Sequence, residues 1–359
     1  MNAPTIIIGG GLSGLCAAYR LHRQNLPFLL LEARDRLGGR ILATENSELD
    51  LGPSWFWPGQ RQIALLIEEL GLQDSIYPQV SDGLSVMEYG DGTLQKSLGG
   101  ASMAGSNRLD GGMKSLINAL SSTLPVDSLQ ISSVVQHVEQ TPDGVSLTVN
   151  QSGTETTMQC SHLVLALPPR VVAQSISFHP GLPSKDGQLL TRIPTWMAAQ
   201  AKLVVEYDSA FWQADGLSGD GFSQLGPLGE VHDASPRIGG THALFGFVGL
   251  PPEQRHGQDE ALKQAAITQL TRLFGEAASK PVAVHLKDWA FDERTATEHD
   301  RSPEIPRGHG RPTLSNEWDN RVLWAGTETA GLTDHSNGYL EGAVEAGNRA
   351  ATQVMKLLS

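Results

Sequence analysis

The hexapeptide Gly9-Gly10-Gly11-Leu12-Ser13-Gly14 follows directly on the β-branched run Ile6-Ile7-Ile8. Its glycines occupy the first, third and sixth places of a G-x-G-x-x-G pattern. Glycine there lets backbone N–H groups approach a pyrophosphate at the positive end of a helix. Such sites carry an acidic residue roughly 20 positions on that bonds a ribose hydroxyl. Glu32 stands 23 residues after Gly9, at the end of the apolar Phe28–Leu31. A second turn of similar type, Ala325-Gly326-Thr327-Glu328, closes the short apolar strand Arg321–Ala325 and leads towards a helix. A nicotinamide dinucleotide needs one anion-binding turn. A flavin dinucleotide carries a ribityl chain beyond its pyrophosphate that a second turn can hold, so the pair favours FAD.

Other chemistries lack their residues. The sequence contains no Walker loop, H-E-x-x-H, G-x-S-x-G or paired Cys/His spacing, and its 11 histidines are scattered, so no metal is expected. The two cysteines, Cys16 and Cys160, form neither a disulfide framework nor a C-x-x-C site. Reduced thiols of this kind suit the cytoplasm. The first apolar run lacks a basic flank and is broken by glycine, which predicts a strand and no signal peptide. No stretch approaches 18 apolar residues, so no membrane span is expected. A net charge of −13 argues against nucleic acid and anionic membrane surfaces and favours cationic small molecules.

These residues need elements to hold them. The pattern predicts strand Thr5–Ile8, helix Leu12–Arg23 and strand Phe28–Leu31, the opening of a doubly wound α/β unit. Helices follow over Gln60–Leu70, ended by Gly71, and over Met113–Leu120, opened by Asp110-Gly111-Gly112. Gly90-Asp91-Gly92 marks a hairpin. Strands Ser132–Glu139 and Val145–Val149 meet at Pro142-Asp143-Gly144, and His162–Leu167 reads as a buried strand stopped by Pro168-Pro169. Beyond about residue 186 come strands Lys202–Tyr207, Phe245–Leu250 and Val282–Trp289, with an amphipathic helix Glu260–Phe274 among them. A final helix runs over about Ala343–Leu357. At 359 residues the chain exceeds the usual size of one core, so two domains are expected.

The stretches IIIGGGLSGL, LEARDRLGGR, LDLGPSW, RLDGGM, HLVLALPP, AKLVVEYDSAFW, VLWAGTETA and GYLEGAVEAG occur in this order along nearly the whole chain. In this the chain resembles the flavin-containing amine oxidases, the monoamine and polyamine oxidase family. The resemblance implies an α/β fold: a Rossmann-like FAD-binding domain assembled from residues 1–73, 109–185 and 309–359, plus a smaller α+β substrate domain from residues 74–108 and 186–308. It implies Gly9, Gly11 and Gly14 at the pyrophosphate and Glu32 at the adenosine ribose. Arg34, Gly39 and Arg40 would lie along the cofactor, Arg40 on a phosphate oxygen. Val134 would meet the adenine through its backbone, and Gly326 and Glu328 would lie by the ribityl region.

The resemblance also implies the reacting groups. Lys202, nine residues before Phe211-Trp212, matches a lysine that holds a water near flavin N5. A cation there also stabilises charge developing on oxygen. Tyr339 matches one wall of an aromatic cage that orients an amine. Counted from Trp289, the opposite wall falls at His299, which replaces an aromatic residue and stands as a candidate base or substrate contact. The position beside it, Glu298, is a cysteine in members that bind flavin covalently, so non-covalent FAD is expected. Trp55, Phe56 and Trp57 crowd the expected flavin ring and are further substrate-site candidates. Only 39 residues separate Gly71 from Gly111, where larger oxidases carry a longer insertion.

The expected reaction is hydride transfer from the carbon next to an amine nitrogen to flavin, with O2 as acceptor and H2O2 as product. The altered cage and short insertion also fit a desaturase or a dihydronicotinamide-type oxidase on the same fold. A flavin-binding partner protein without turnover is a third reading, for which Lys202→Met changes nothing.

Overall fold

Ile6, Ile7 and Ile8 are all buried, which explains why an unbroken β-branched run works as a strand here: it is covered on both faces. The computed structural model describes residues 4–359 apart from 47, 100–101, 183, 302–313, 315 and 332–335, and only the backbone of 184–186. The strand Thr5–Ile8 is the centre of a five-stranded parallel sheet. Phe28–Leu31 and Leu129–Gln130 lie on one side of it, His162–Leu165 and Val322–Trp324 on the other. The sheet is therefore gathered from segments far apart in sequence.

Alternation divides its side chains between two cores. Ile7, Leu30, Val164 and Leu323 face the helices Leu12–Arg23, Arg61–Glu69, Lys114–Ser122 and Leu340–Leu358. Ile6, Ile8, Leu163, Leu165 and Trp324 face a four-stranded sheet of Ser133–Thr141, Gly144–Gln151, Thr154–Cys160 and Ser177–His179. This Rossmann-like α/β architecture is the fold class read from the sequence.

A seven-stranded, mostly antiparallel sheet carries the strand Ala201–Tyr207. One face packs on the helix Asp259–Phe274 through Leu203, Val205 and Leu244. The other presents Val204, Phe245 and Phe247 to Leu49, Leu51 and Trp55 of the first hundred residues. The hairpin predicted at Gly90-Asp91-Gly92 joins Leu84–Glu88 to Leu94–Ser97 at the edge of this sheet.

Most predicted elements appear with ends moved by a few residues; the last helix starts earlier, at Leu340. Thr154–Cys160, Leu217–Ser223 and Leu228–Asp233 were not expected as strands. Polar and glycine-rich composition hid them, and pairing to neighbouring strands overrides local preference. Among the described residues, no helix is long and apolar enough to cross a membrane.

Candidate active site

A cavity of about 530 Å³ is walled by loops that follow strands of the five-stranded sheet, by Lys202, Glu230 and Phe247 of the seven-stranded sheet, and by segments near both ends of the sequence. Its nucleotide-binding part is built on the turn from Thr5–Ile8 into helix Leu12–Arg23. Gly11 caps that helix with no side-chain hydrogen bond, so its first N–H groups are left for a ligand. Gly9 has φ +107°, and a Cβ there would lie 2.6 Å from the Ala166 carbonyl oxygen. Glu32 is buried; its carboxylate accepts from the Gly10 N–H at 2.7 Å and the Arg34 N–H at 2.8 Å.

Gly14 corrects the expectation that all three motif glycines meet the pyrophosphate. It does not line the cavity; a Cβ there would lie 1.9 Å from the Gly9 carbonyl oxygen. Its service is close packing of helix on strand.

The second turn closes on the first. Ser13 donates its hydroxyl hydrogen to the Ala325 carbonyl, and Gly326 sits where a Cβ would meet the Leu167 carbonyl oxygen at 2.5 Å. Glu328 is buried against the cavity, with Oε1 2.7 Å from the Arg40 guanidinium. Its Oε2 has no hydrogen-bond partner among the described residues. Arg34 reaches the same cavity and is paired with Asp292. Unsatisfied helix N–H groups, a glycine cradle and an incompletely partnered buried carboxylate fit FAD. A diphosphate would take the first two, and hydroxyls of ribose or ribityl would satisfy the carboxylates.

The reactive part is centred on Lys202, only 3% exposed. Its Nζ donates to Ser54 Oγ at 2.6 Å and to the Gly52 carbonyl at 3.1 Å, and lies 3.9 Å from the Phe245 ring centroid. Burial pushes its pKa down to about 7, with Asp50 opposing that fall and Arg108 adding to it. Asp50 is buried too, and its carboxyl is raised by desolvation despite Lys202, Arg108 and the Met113 N–H.

Tyr339 caps the helix Leu340–Leu358, and Thr327 fixes it by donating to the Tyr339 carbonyl at 2.8 Å. Its ring lies 5.8 Å from Trp196, a cavity residue the sequence reading missed. The only signal was Gly338, whose φ of +83° and lack of a Cβ leave room for that indole. Trp55, Trp57 and Trp289 line the cavity as proposed. Trp289 is oriented by donating to the Leu51 carbonyl, and Trp55 by donating to Gln79.

Three sequence candidates stand elsewhere. Phe56 turns away into the helix-facing core, because alternation along Trp55-Phe56-Trp57 sends it to the opposite side. Val134 is half-buried and does not line the cavity. Its neighbour Ser133 instead donates to the Glu32 carbonyl. His299 is exposed in a short helical turn, Glu298–Asp300, and is absent from the cavity wall. Thr297 and Asp300 cap that turn reciprocally, and Asp300 binds Arg170, which holds the segment outward. Gly39 lines the cavity at φ +58°, with Gly11 Cα 3.2 Å from where its Cβ would lie.

Fold and cavity together define a protein with a site shaped for a dinucleotide cofactor. A family model described as flavin containing amine oxidoreductase matches residues 12–98 and 84–355. Flavin-containing amine oxidase B of Sus scrofa is 25% identical over 456 residues, spanning 98% of this chain and 85% of its own. Amine oxidase A of the same animal is 25% identical over 459 residues, with the same shares. A putrescine oxidase bound to putrescine superposes with TM-score 0.81 at 20% identity, over 99% of each chain. The cyclohexylamine oxidase from Brevibacterium oxydans IH-35A gives TM-score 0.80 at 19% identity, over 100% of each chain. The chain belongs to the flavin-containing amine oxidoreductase family and is an FAD-dependent enzyme.

Proposed function

We propose that the protein is an amine oxidase that holds FAD non-covalently and uses O2 as its acceptor. When bound, FAD accepts hydride at N5 from the carbon next to an amine nitrogen and is reoxidised by O2 to give H2O2. The reading rests most on one observation: Lys202, Tyr339 and the two nucleotide-binding turns wall a single cavity. Gly9, Gly11, Glu32, Arg34, Gly39, Arg40, Gly326 and Glu328 are assigned to the cofactor.

Trp55, Trp57, Tyr339 and Trp196 surround the substrate with aromatic faces that exclude water and favour an amine held as free base. Lys202, with Nζ resting on Gly52 and Ser54, is suited to hold a water and to present positive charge where oxygen is reduced. Non-covalent attachment is supported by the cysteine inventory. Cys16 and Cys160 are free and buried, neither lines the cavity, and burial raises both thiols to about 12. Reduced, inert thiols also suit a cytoplasmic setting.

The test is the visible spectrum of the FAD-loaded protein, kept anaerobic while primary, secondary and polyamines are added. Bleaching that reverses on admitting air is the expected result. Bands that stay unchanged with every amine would sink the proposal.

A further inference from the structure

Met197 follows Trp196 in the sequence, and both residues line the cavity beside Tyr339. Met197 is also 40% exposed, so it meets the cavity and the solvent at once. The backbone fixes this display. Its φ is +58°, in the left-handed region that residues other than glycine rarely adopt. Two turn bonds hold the conformation: the Ala198 N–H donates to the Thr195 carbonyl at 3.2 Å and the Gln200 N–H to the Met197 carbonyl at 3.0 Å. Backbone kept in a sparsely populated region by its surroundings is a mark of functional positions.

The other described methionines are placed differently. Met113 is fully buried, and Met87, Met158 and Met355 are half-buried away from the cavity wall. Met103 lines the cavity but is half-buried, which leaves Met197 as the exposed one among them. A thioether is apolar and polarizable, and peroxide converts it to a polar, chiral sulfoxide. A sulfur lone pair attacks one peroxide oxygen, so an S–O bond forms as the O–O bond breaks. The hydroxide that leaves takes the proton from the new S–OH group and departs as water. Sulfur loses two electrons and the peroxide gains them. The two thiols compete poorly for this oxidant, since both cysteines are buried and burial raises them to about 12.

We infer that Met197 is a site of reversible oxidation by hydrogen peroxide, and that its sulfoxide lowers the affinity of the cavity for an amine. The inference rests on the amine-oxidase reading, which supplies the oxidant as its product. It adds a brake to that reading: peroxide that accumulates in solution slows the enzyme that makes it. A sulfoxide beside Trp196 puts a strong acceptor and its water into a wall of aromatic faces, and an amine bound there loses apolar contact. Lys202 keeps its partners Gly52 and Ser54, so the effect falls on KM more than on kcat.

The experiment exposes the FAD-loaded protein, without amine, to millimolar hydrogen peroxide and follows each methionine by peptide mass spectrometry. Met197 gains oxygen ahead of Met87, Met103, Met158 and Met355, and Met113 comes last. Steady-state amine oxidation by the treated protein then shows KM raised roughly 3- to 10-fold, the worth of one or two methylene-sized contacts. Methionine sulfoxide reductase with dithiothreitol restores the starting value. Met197→Leu keeps the volume and removes the sulfur, so its KM is the same before and after peroxide. Prolonged turnover oxidises Met197 as added peroxide does, and catalase prevents it. Oxidation of Met197 no earlier than the half-buried methionines, or an equal rise of KM in M197L, overturns the inference. If no amine is oxidised, the oxidase reading falls by itself. The mass order with added peroxide then still decides the site, and amine titration of the flavin spectrum before and after treatment takes the place of KM.

Discussion

Lys202 shows how burial sets reactivity at a single residue. An ordinary lysine stays cationic to pH 10.5; desolvation brings this one down to about 7. Its folded-state pKa is depressed, so the cation is complete below that value and lost as pH rises through it. If the cation assists oxygen reduction, the rate of flavin reoxidation falls as pH rises through about 7. In Lys202→Met it is slower by about a hundredfold at low pH and flat. Rapid mixing of amine-reduced protein with oxygenated buffer across this range reads both features. A wild-type profile without that transition would remove Lys202 from the oxygen step. Lysine position was legible from the sequence through its spacing to Phe211-Trp212, but its burial was not. Gly52 and Ser54 come from a loop some 150 residues earlier in the chain, and nothing local announces that they will meet Nζ. His299 failed for the complementary reason, since counting along a sequence cannot show that Asp300 and Arg170 turn the segment outward.

At the scale of elements, the nucleotide site depends on how closely two helices approach. Gly347 of the C-terminal helix lies against the first turns of helix Leu12–Arg23. A Cβ at Gly347 would meet the Ser13 carbonyl oxygen at 2.3 Å and Cys16 Cβ at 2.8 Å. Backbone cannot yield as a side-chain tip does, so Gly347→Ala should cost about 1–3 kcal/mol. It should also weaken FAD retention, because Ser13 belongs to the turn that offers its N–H groups to the phosphates. Gly181→Ala, where nothing lies within 4 Å, is the control and should be nearly neutral. Denaturant unfolding with dialysis of the flavin measures both; equal stability for the two variants would refute the packing argument. The two helices and the central strands were legible because period and glycine punctuation are local signals. Leu217–Ser223 and Leu228–Asp233 were illegible because they are specified by neighbours, and with them the cavity residue Glu230 stayed hidden.

For the whole molecule, the arrangement of the cavity wall makes cofactor binding part of folding. Gly9, Glu32 and Arg40 lie near one end of the sequence, Gly326, Glu328 and Tyr339 near the other, and Lys202 between them. A ligand touching all of these binds the assembled chain and not its separated pieces. FAD at a hundredfold excess over its dissociation constant therefore adds about 2.7 kcal/mol to stability, and the unfolding temperature rises with FAD concentration. The absence of a cysteine from the wall adds a chemical corollary. Acid precipitation should leave all flavin absorbance in the supernatant, and the recovered apoprotein should unfold at a lower temperature until FAD is returned. Flavin that stayed with the precipitate would mean a covalent link through some other side chain. An unfolding temperature indifferent to FAD would mean that the distant segments hold together without it, and that the buried Glu328 carboxylate is stable paired with Arg40.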